Sequence, residues 1–226
     1  MLTALLFDLD GTLTHTDPIH FQTWKEILRD YELEIDRPFY ENNFSGRTNA
    51  AILNQLLPHL SVEKSRQLGN QKEAAFRRQA TGELQPIAGL TEVLAWANER
   101  QLKQAVVTNA PPENAEFMLQ VLELTQQFAT VVLAETLERA KPDPLAYQVG
   151  LDRLGAAANC AIAFEDSPSG IRSAVGAGIL TVGIASTHLP EELYAVGATL
   201  VVTDFSDRTL YNFLNCTFEQ PLGIGG

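Results

Sequence analysis

Cysteine is scarce in this chain. Only Cys160 and Cys216 occur in 226 residues, and neither belongs to a pattern of paired cysteines or histidines. That excludes a disulfide framework and a zinc site of ordinary ligand spacing, and a reducing, cytoplasmic setting is expected. Positive charge is also in short supply: 16 Lys and Arg stand against 28 Asp and Glu, for a formal net charge of -12. No basic run offers a footprint for nucleic acid or an anionic membrane surface, so neither partner is expected. No uninterrupted apolar stretch reaches the ~18 residues of a membrane span. Asp8 and Asp10 break the apolar N-terminus too early for a signal peptide or an anchor. What is present is apolar: 45% of residues, against 19% charged, which is enough to bury a sizeable core and argues against a disordered chain.

That apolar material is organised in short continuous runs. Ala4 to Leu9, Gln104 to Thr108, Thr130 to Leu133, Cys160 to Phe164 and Ile179 to Ile184 read as buried strands, with Leu200 to Thr203 as a sixth. Continuous rather than alternating runs are expected where helices cover both faces of a parallel sheet. Helical stripes lie between them: Leu90, Val93, Leu94 and Ala97; Phe117, Val121, Leu122 and Leu124; Ile171, Ala174 and Val175. The alternation predicts an α/β fold, a doubly wound parallel sheet. It is interrupted after the first strand. Residues 15–82 carry no strand pattern but two stripes, Phe21-Trp24-Leu28-Tyr31 and Ile52 to Leu60, and a weaker helix over Val62 to Ala80. Such a segment is too long for a crossover loop. It predicts a helical cap domain at 15–82 inserted into a core made of 1–14 and 83–226. The tail Pro221 to Gly226 is expected to be loose.

Four groups of residues carry chemistry, each at or just after a strand end, where open α/β sheets bind ligands. Asp8 and Asp10 leave the first strand in Asp8-Leu9-Asp10-Gly11-Thr12-Leu13. Paired carboxylates there can divide the labour, one as nucleophile and one as acid and base. Gly11 permits a sharp turn and close approach of backbone to an anion. Thr108-Asn109 precedes Pro111-Pro112, a helix start whose free N–H groups suit a phosphate. Lys141, between Ala140 and Pro142, offers a point positive charge. Glu165 and Asp166 leave the fourth strand together, costly unless a cation lies between them, and hard carboxylate oxygens suit magnesium.

The Asp8 string, Thr108-Asn109, Lys141 and Glu165-Asp166, in that order over essentially the whole chain, resemble the haloacid dehalogenase superfamily. The insert resembles the small helical cap of its β-phosphoglucomutase-like branch, which includes sugar-phosphate phosphatases and mutases. The resemblance implies that Asp8 is the nucleophile and forms an aspartyl phosphate. Asp10 would protonate the leaving oxygen and then activate the second acceptor. Mg2+ would be held by Asp8, the Asp10 backbone carbonyl and Asp166, with Glu165 in support, while Thr108, Asn109 and Lys141 would hold the phosphate. Asp10 argues against the superfamily's dehalogenases, which usually lack an acid there.

Phosphatase and mutase share these steps, and the cap separates them. Thr16, His20 and Trp24 match positions seen in the β-phosphoglucomutase-like proteins, and His20 and Trp24 share a helix face. The cap loop, Phe44-Ser45-Gly46-Arg47-Thr48-Asn49, has Thr48-Asn49 where a mutase of the known type has a Ser-Arg pair. Only Arg47 stands out as a grip for a second phosphate, and Lys72, Arg77 and Arg78 are loose candidates for the mutase's cap lysine. Thr108-Asn109-Ala110 replaces the mutase's Ser-rich turn with its lysine. These departures favour hydrolysis of a small phosphorylated metabolite, with a mutase as the alternative and a phosphonate-cleaving enzyme or a non-catalytic binding module behind it. A monomer is expected.

Overall fold

The computed structural model of the chain describes residues 1–44 and 47–219. Gly46 and the tail from Pro221 to Gly226 therefore lie outside the described residues. The chain divides into two compact units, Met1–His15 with Leu84–Gly226, and Thr16–Glu83.

The first unit is built on one parallel sheet. Its strands are β1 (Ala4–Phe7), β2 (Lys103–Thr108), β3 (Thr130–Leu133), β4 (Ala161–Glu165), β5 (Leu180–Ile184) and β6 (Leu200–Val202). They stand in the order β3-β2-β1-β4-β5-β6. The chain steps outward from β1 to β2 and β3, then returns to the far side of β1 for β4. The order reverses between β1 and β4, so a crevice forms beyond their carboxyl ends, the place where doubly wound sheets bind ligands. Registers match across that line: Phe7 lies between Val106 and Phe164. All four residues of β1 are fully buried, as a strand covered on both faces requires.

The observed strands sit within or against the runs predicted from hydropathy, with shifted ends. β1 stops at Phe7 rather than Leu9. Leu13 N–H donates to Leu9 O at 2.9 Å and Gly11 N–H to Thr14 O at 2.9 Å, so the chain has already turned. β4 begins at Ala161 rather than Cys160 and runs one residue further, because Glu165 still pairs with Gly183.

The second unit is helical: α1 (Asp17–Arg29), α2 (Arg37–Asn43), α3 (Asn49–Leu56) and α4 (Val62–Ala80). Helix α2 was not expected. It is short and buries only Tyr40, too little to draw a stripe, and it is started by the Asp36 side chain, which accepts from Phe39 N–H at 2.8 Å. Trp24, Leu28, Tyr40, Phe44, Leu53 and Leu68 form this unit's own core.

Back in the sheet unit, α5 (Leu90–Glu99), α6 (Pro112–Val121), α7 (Leu145–Leu154), α8 (Pro168–Gly176), α9 (Pro190–Ala195) and α10 (Arg208–Glu219) complete the described fold. The stripe drawn through Leu124 overshoots α6. Glu123 has φ 59, and Leu124 N–H closes the helix end on Leu119 O at 2.8 Å. On one face of the sheet α7 packs through Ala146, Tyr147 and Leu151 onto Leu6, Val107 and Val132.

Candidate active site

Asp8 extends the β1–β4 ladder by one bond, its N–H donating to Phe164 O at 2.9 Å. That pins the first acid beside the second pair, since Glu165 and Asp166 follow Phe164 directly. Lys141, far away in sequence, closes the group. Its Nζ donates to Asp8 Oδ1, Glu165 Oε1 and Val107 O, each at 2.6 Å. All three ammonium protons are thus in use. Burial alone would lower the Lys141 pKa, but the carboxylates of Asp8 and Glu165 reverse this and hold it above its ordinary value. Asn109 steadies the same loop, its Oδ1 accepting from Lys141 N–H at 3.2 Å. Thr108 is buried at the end of β2, and its Oγ1 accepts from Ala110 N–H at 2.9 Å. The structure therefore brings Asp8, Lys141, Asn109, Glu165 and Asp166 into one connected group.

Glu165 is wholly buried and depends on more than Lys141. Tyr147 OH donates to the same Oε1 at 2.8 Å, and Ser167 Oγ to Oε2 at 3.3 Å. Gly170 on α8 is a necessity here: a Cβ would lie 1.9 Å from the Glu165 carboxyl carbon. Ser167 also caps α8, accepting from Gly170 N–H at 3.0 Å. Asp166 accepts from Thr187 Oγ1, which lies just past β5.

Asp8, Glu165 and Asp166 each offer an oxygen within 4.8 Å of the others. Burial pushes the Asp8 carboxyl up to about 8, with Glu165 and Asp10 adding to the rise and Lys141 opposing it. Burial, then Asp8 and Glu165, likewise raise Asp166 well above the carboxylate range. One lysine does not neutralise three buried acids. A hard divalent cation fits this donor set in charge and in ligand type. Asp10 is half-buried and its carboxylate is the weakest contributor to both shifts. Its backbone pairs with Thr14 in the turn after β1.

Residues 5–184 match the family model for haloacid dehalogenase-like hydrolases. The chain belongs to that family. This haloacid dehalogenase-like hydrolase is 32% identical over 188 residues to a fructose-1-phosphate phosphatase of Escherichia coli, covering 80% of this chain and 95% of that one. It is 28% identical to a phosphorylated carbohydrates phosphatase of Thermotoga maritima, over 79% of this chain and 82% of the other. It is also 28% identical to a β-phosphoglucomutase of Bacillus subtilis, over 97% and 96%. A solved haloacid dehalogenase family IA hydrolase of Entamoeba histolytica superposes with a TM-score of 0.86 at 25% identity, covering 95% of this chain and 98% of that one. The relatives thus fall in the β-phosphoglucomutase-like and sugar-phosphate phosphatase branch, and the chain is an enzyme of this family.

The helical unit of the hydrolase holds the remaining expected residues. His20 and Trp24 lie on α1, and Thr16 is buried just before it, its carbonyl accepting from Ile19 and His20 N–H, both at 3.0 Å. Trp24 is 2% exposed and packs edge-on against Phe44. His20 stacks on Phe76, ring centroids 4.0 Å apart, and its Nδ1 lies 2.7 Å from Lys72 Nζ. Lys72, one of three loose candidates in the sequence, is buried and paired with Glu73 Oε1 at 2.9 Å, while Asn49 Nδ2 donates to that same oxygen at 2.6 Å. Burial would raise Glu73, but Lys72, His20 and Asn49 overcome it and hold the carboxyl below its ordinary value. Arg47 spends its guanidinium on its own surroundings, Asn43 O at 3.0 Å and Gln55 Oε1 at 2.6 Å.

Sequence reasoning missed Tyr147, Gly170, Thr187 and the Lys72–Glu73 pair. Tyr147 hides in the apolar run Leu145-Ala146-Tyr147, where it reads as core. Thr187 had one available signal, its place at the carboxyl end of a strand next to β4.

Proposed function

We propose that this hydrolase is a magnesium-dependent phosphatase acting on a small phosphomonoester, a sugar phosphate by class, through an aspartyl phosphate on Asp8. The observation that carries the reading is the buried Asp8–Lys141 pair set against Glu165 and Asp166 at the switch point of the sheet. Asp8, the Asp10 carbonyl and Asp166 would hold Mg2+, with Glu165 supporting the site through Lys141. The ion supplies positive charge that neutralises phosphate oxygens and keeps the carboxylates ionised. An Asp8 oxygen attacks phosphorus, the bond to the leaving oxygen breaks, and Asp10 gives that oxygen its proton. Asp10 then takes a proton from water as the water oxygen attacks phosphorus. The acyl phosphate bond breaks, and Asp8 returns as a carboxylate. Phosphorylation removes negative charge from the Asp8 oxygens, which frees one Lys141 proton for a phosphate oxygen. Thr108 and the N–H groups opening α6 receive the other oxygens.

Hydrolysis is preferred to phosphate transfer between sugar positions because two of the cations considered for a second phosphate, Lys72 and Arg47, are engaged within the helical unit. Glu73 neutralises Lys72, and Arg47 is held by Asn43 and Gln55. The phosphatase relatives support the same choice. The test is phosphorus NMR of a panel of sugar phosphates, including β-glucose 1-phosphate with a trace of glucose 1,6-bisphosphate, with magnesium. Free phosphate that requires both magnesium and Asp8 is expected. Conversion to glucose 6-phosphate without release would establish the mutase instead.

A further inference from the structure

The loop after β5 touches both acidic loops through adjacent side chains. Ser186 Oγ donates to Gly11 O at 2.5 Å, in the turn that follows Asp8 and Asp10. Thr187 Oγ1 donates to Asp166 Oδ2, and lies 3.3 Å from the Asp166 carbonyl oxygen. The fit is close on the other side as well. A Cβ on Gly11 would fall 2.2 Å from Asp166 Oδ2 and 3.2 Å from Thr187 Cγ2. Gly11 (φ +75), Thr187 and Asp166 Oδ2 therefore form one packed contact. With Oδ2 held by Thr187 and walled by Gly11, Oδ1 is the Asp166 oxygen left to turn toward Asp8 and Glu165.

His188 extends the chain of contacts, its Nδ1 lying 2.9 Å from Thr187 Oγ1. A threonine hydroxyl has one proton to give. When Asp166 is ionised that proton belongs to Oδ2, so Oγ1 can only accept from His188, which must then carry its proton on Nδ1. This is the arrangement by which a neighbour orients a metal-binding carboxylate and fixes its tautomeric partner.

Resting on the magnesium reading above, we infer that Thr187 is the positioning residue for the cation: it fixes Asp166 so that a single oxygen faces the ion, with Ser186 holding the nucleophile turn in register. Thr187 works through Asp166, to which its hydroxyl donates.

The test is calorimetric titration of MgCl2 into the full chain without substrate, beside the magnesium concentration needed for half-maximal phosphate release. Thr187→Val keeps the shape and removes the proton. It is expected to weaken Mg2+ binding by about 10- to 100-fold, the range seen when a partner of a metal ligand is lost, with turnover recovering at high magnesium. Thr187→Ser, which restores the donor, is expected to recover most of the affinity. Thr187→Ala serves as a second removal of the hydroxyl. Wild-type affinity in Thr187→Val or Thr187→Ala would overturn the inference while leaving the phosphatase reading intact. Loss of the fold in both would overturn it too, by assigning Thr187 to folding. If the wild-type chain bound no Mg2+, the magnesium reading would fall and this inference with it.

Discussion

Lys141 Nζ and Asp8 Oδ1 lie 2.6 Å apart, joining two buried side chains that are 133 positions apart in the chain. Removing one partner of such a pair leaves an uncompensated buried charge. Lys141→Met is expected to cost about 3–5 kcal/mol of stability and to abolish turnover, measurable by urea unfolding and phosphate release. Lys141→Arg is expected not to restore activity, because a planar fork cannot match three acceptors converging on one nitrogen. A fully active arginine variant would contradict the assignment of the lysine as a point charge.

Asp8→Asn removes the attacking oxygen with almost no change of shape. Turnover should fall by a factor on the order of 10⁴ or more. The fold should persist, and without metal its melting temperature should be no lower than wild type, because ionised Asp8 is disfavoured in the native state. Residual phosphatase activity well above that floor would remove Asp8 as nucleophile.

The pH dependence of stability has a definite sign. Asp8 is raised from 3.8 to about 8. Between those values the native chain keeps a proton that the unfolded chain has lost, so this group makes stability fall as pH rises through the window and level off above it. Lys141, held above 10.5, contributes stability that is lost only in stronger alkali. Melting temperatures in EDTA should therefore decline between about pH 5 and about pH 8. Magnesium, which favours the ionised carboxylates, should flatten the decline. The same slope with and without magnesium would count against a cation among these acids.

Two glycines on α8 separate local from tertiary constraint. At Gly170 an added Cβ meets the Glu165 carboxylate at 1.9 Å, whereas at Gly176 the nearest contact is Pro144 Cβ at 3.4 Å. Gly170→Ala is expected to displace Glu165, lower stability by about 1–3 kcal/mol and impair activity. Gly176→Ala should be neutral or raise stability by up to ~1 kcal/mol through helix propensity. Calorimetric unfolding of both variants decides it, and equal effects would refute the account.

In the helical unit, Lys72→Met strips Glu73 of its buried partner and should cost about 3 kcal/mol. The double variant Lys72→Met with Glu73→Gln should recover most of that loss. Additive effects in a double-mutant cycle would mean that the two side chains do not interact.

The strands of the sheet, the helices that follow the first strand and the three acid- or lysine-bearing turns were legible along the chain. Short continuous apolar runs bounded by turn residues suit buried strands, and Asp8 and Asp166 directly follow two of them. Helix α2 was illegible because a seven-residue helix with one buried side chain leaves no periodic trace. Which side chain holds which follows from the folded arrangement alone. Tyr147 reads as core until its hydroxyl is seen on Glu165, Gly170 as a helix defect until the carboxylate fills its missing Cβ, and Lys72 as one cation among several until Glu73 closes on it. Thr187 and Asp166 are 21 residues apart and meet only because β4 and β5 are neighbours in the sheet. Hydropathy is a local property and can be read along the chain. Hydrogen-bond partnership in a buried site depends on strand order and register, which no single segment encodes.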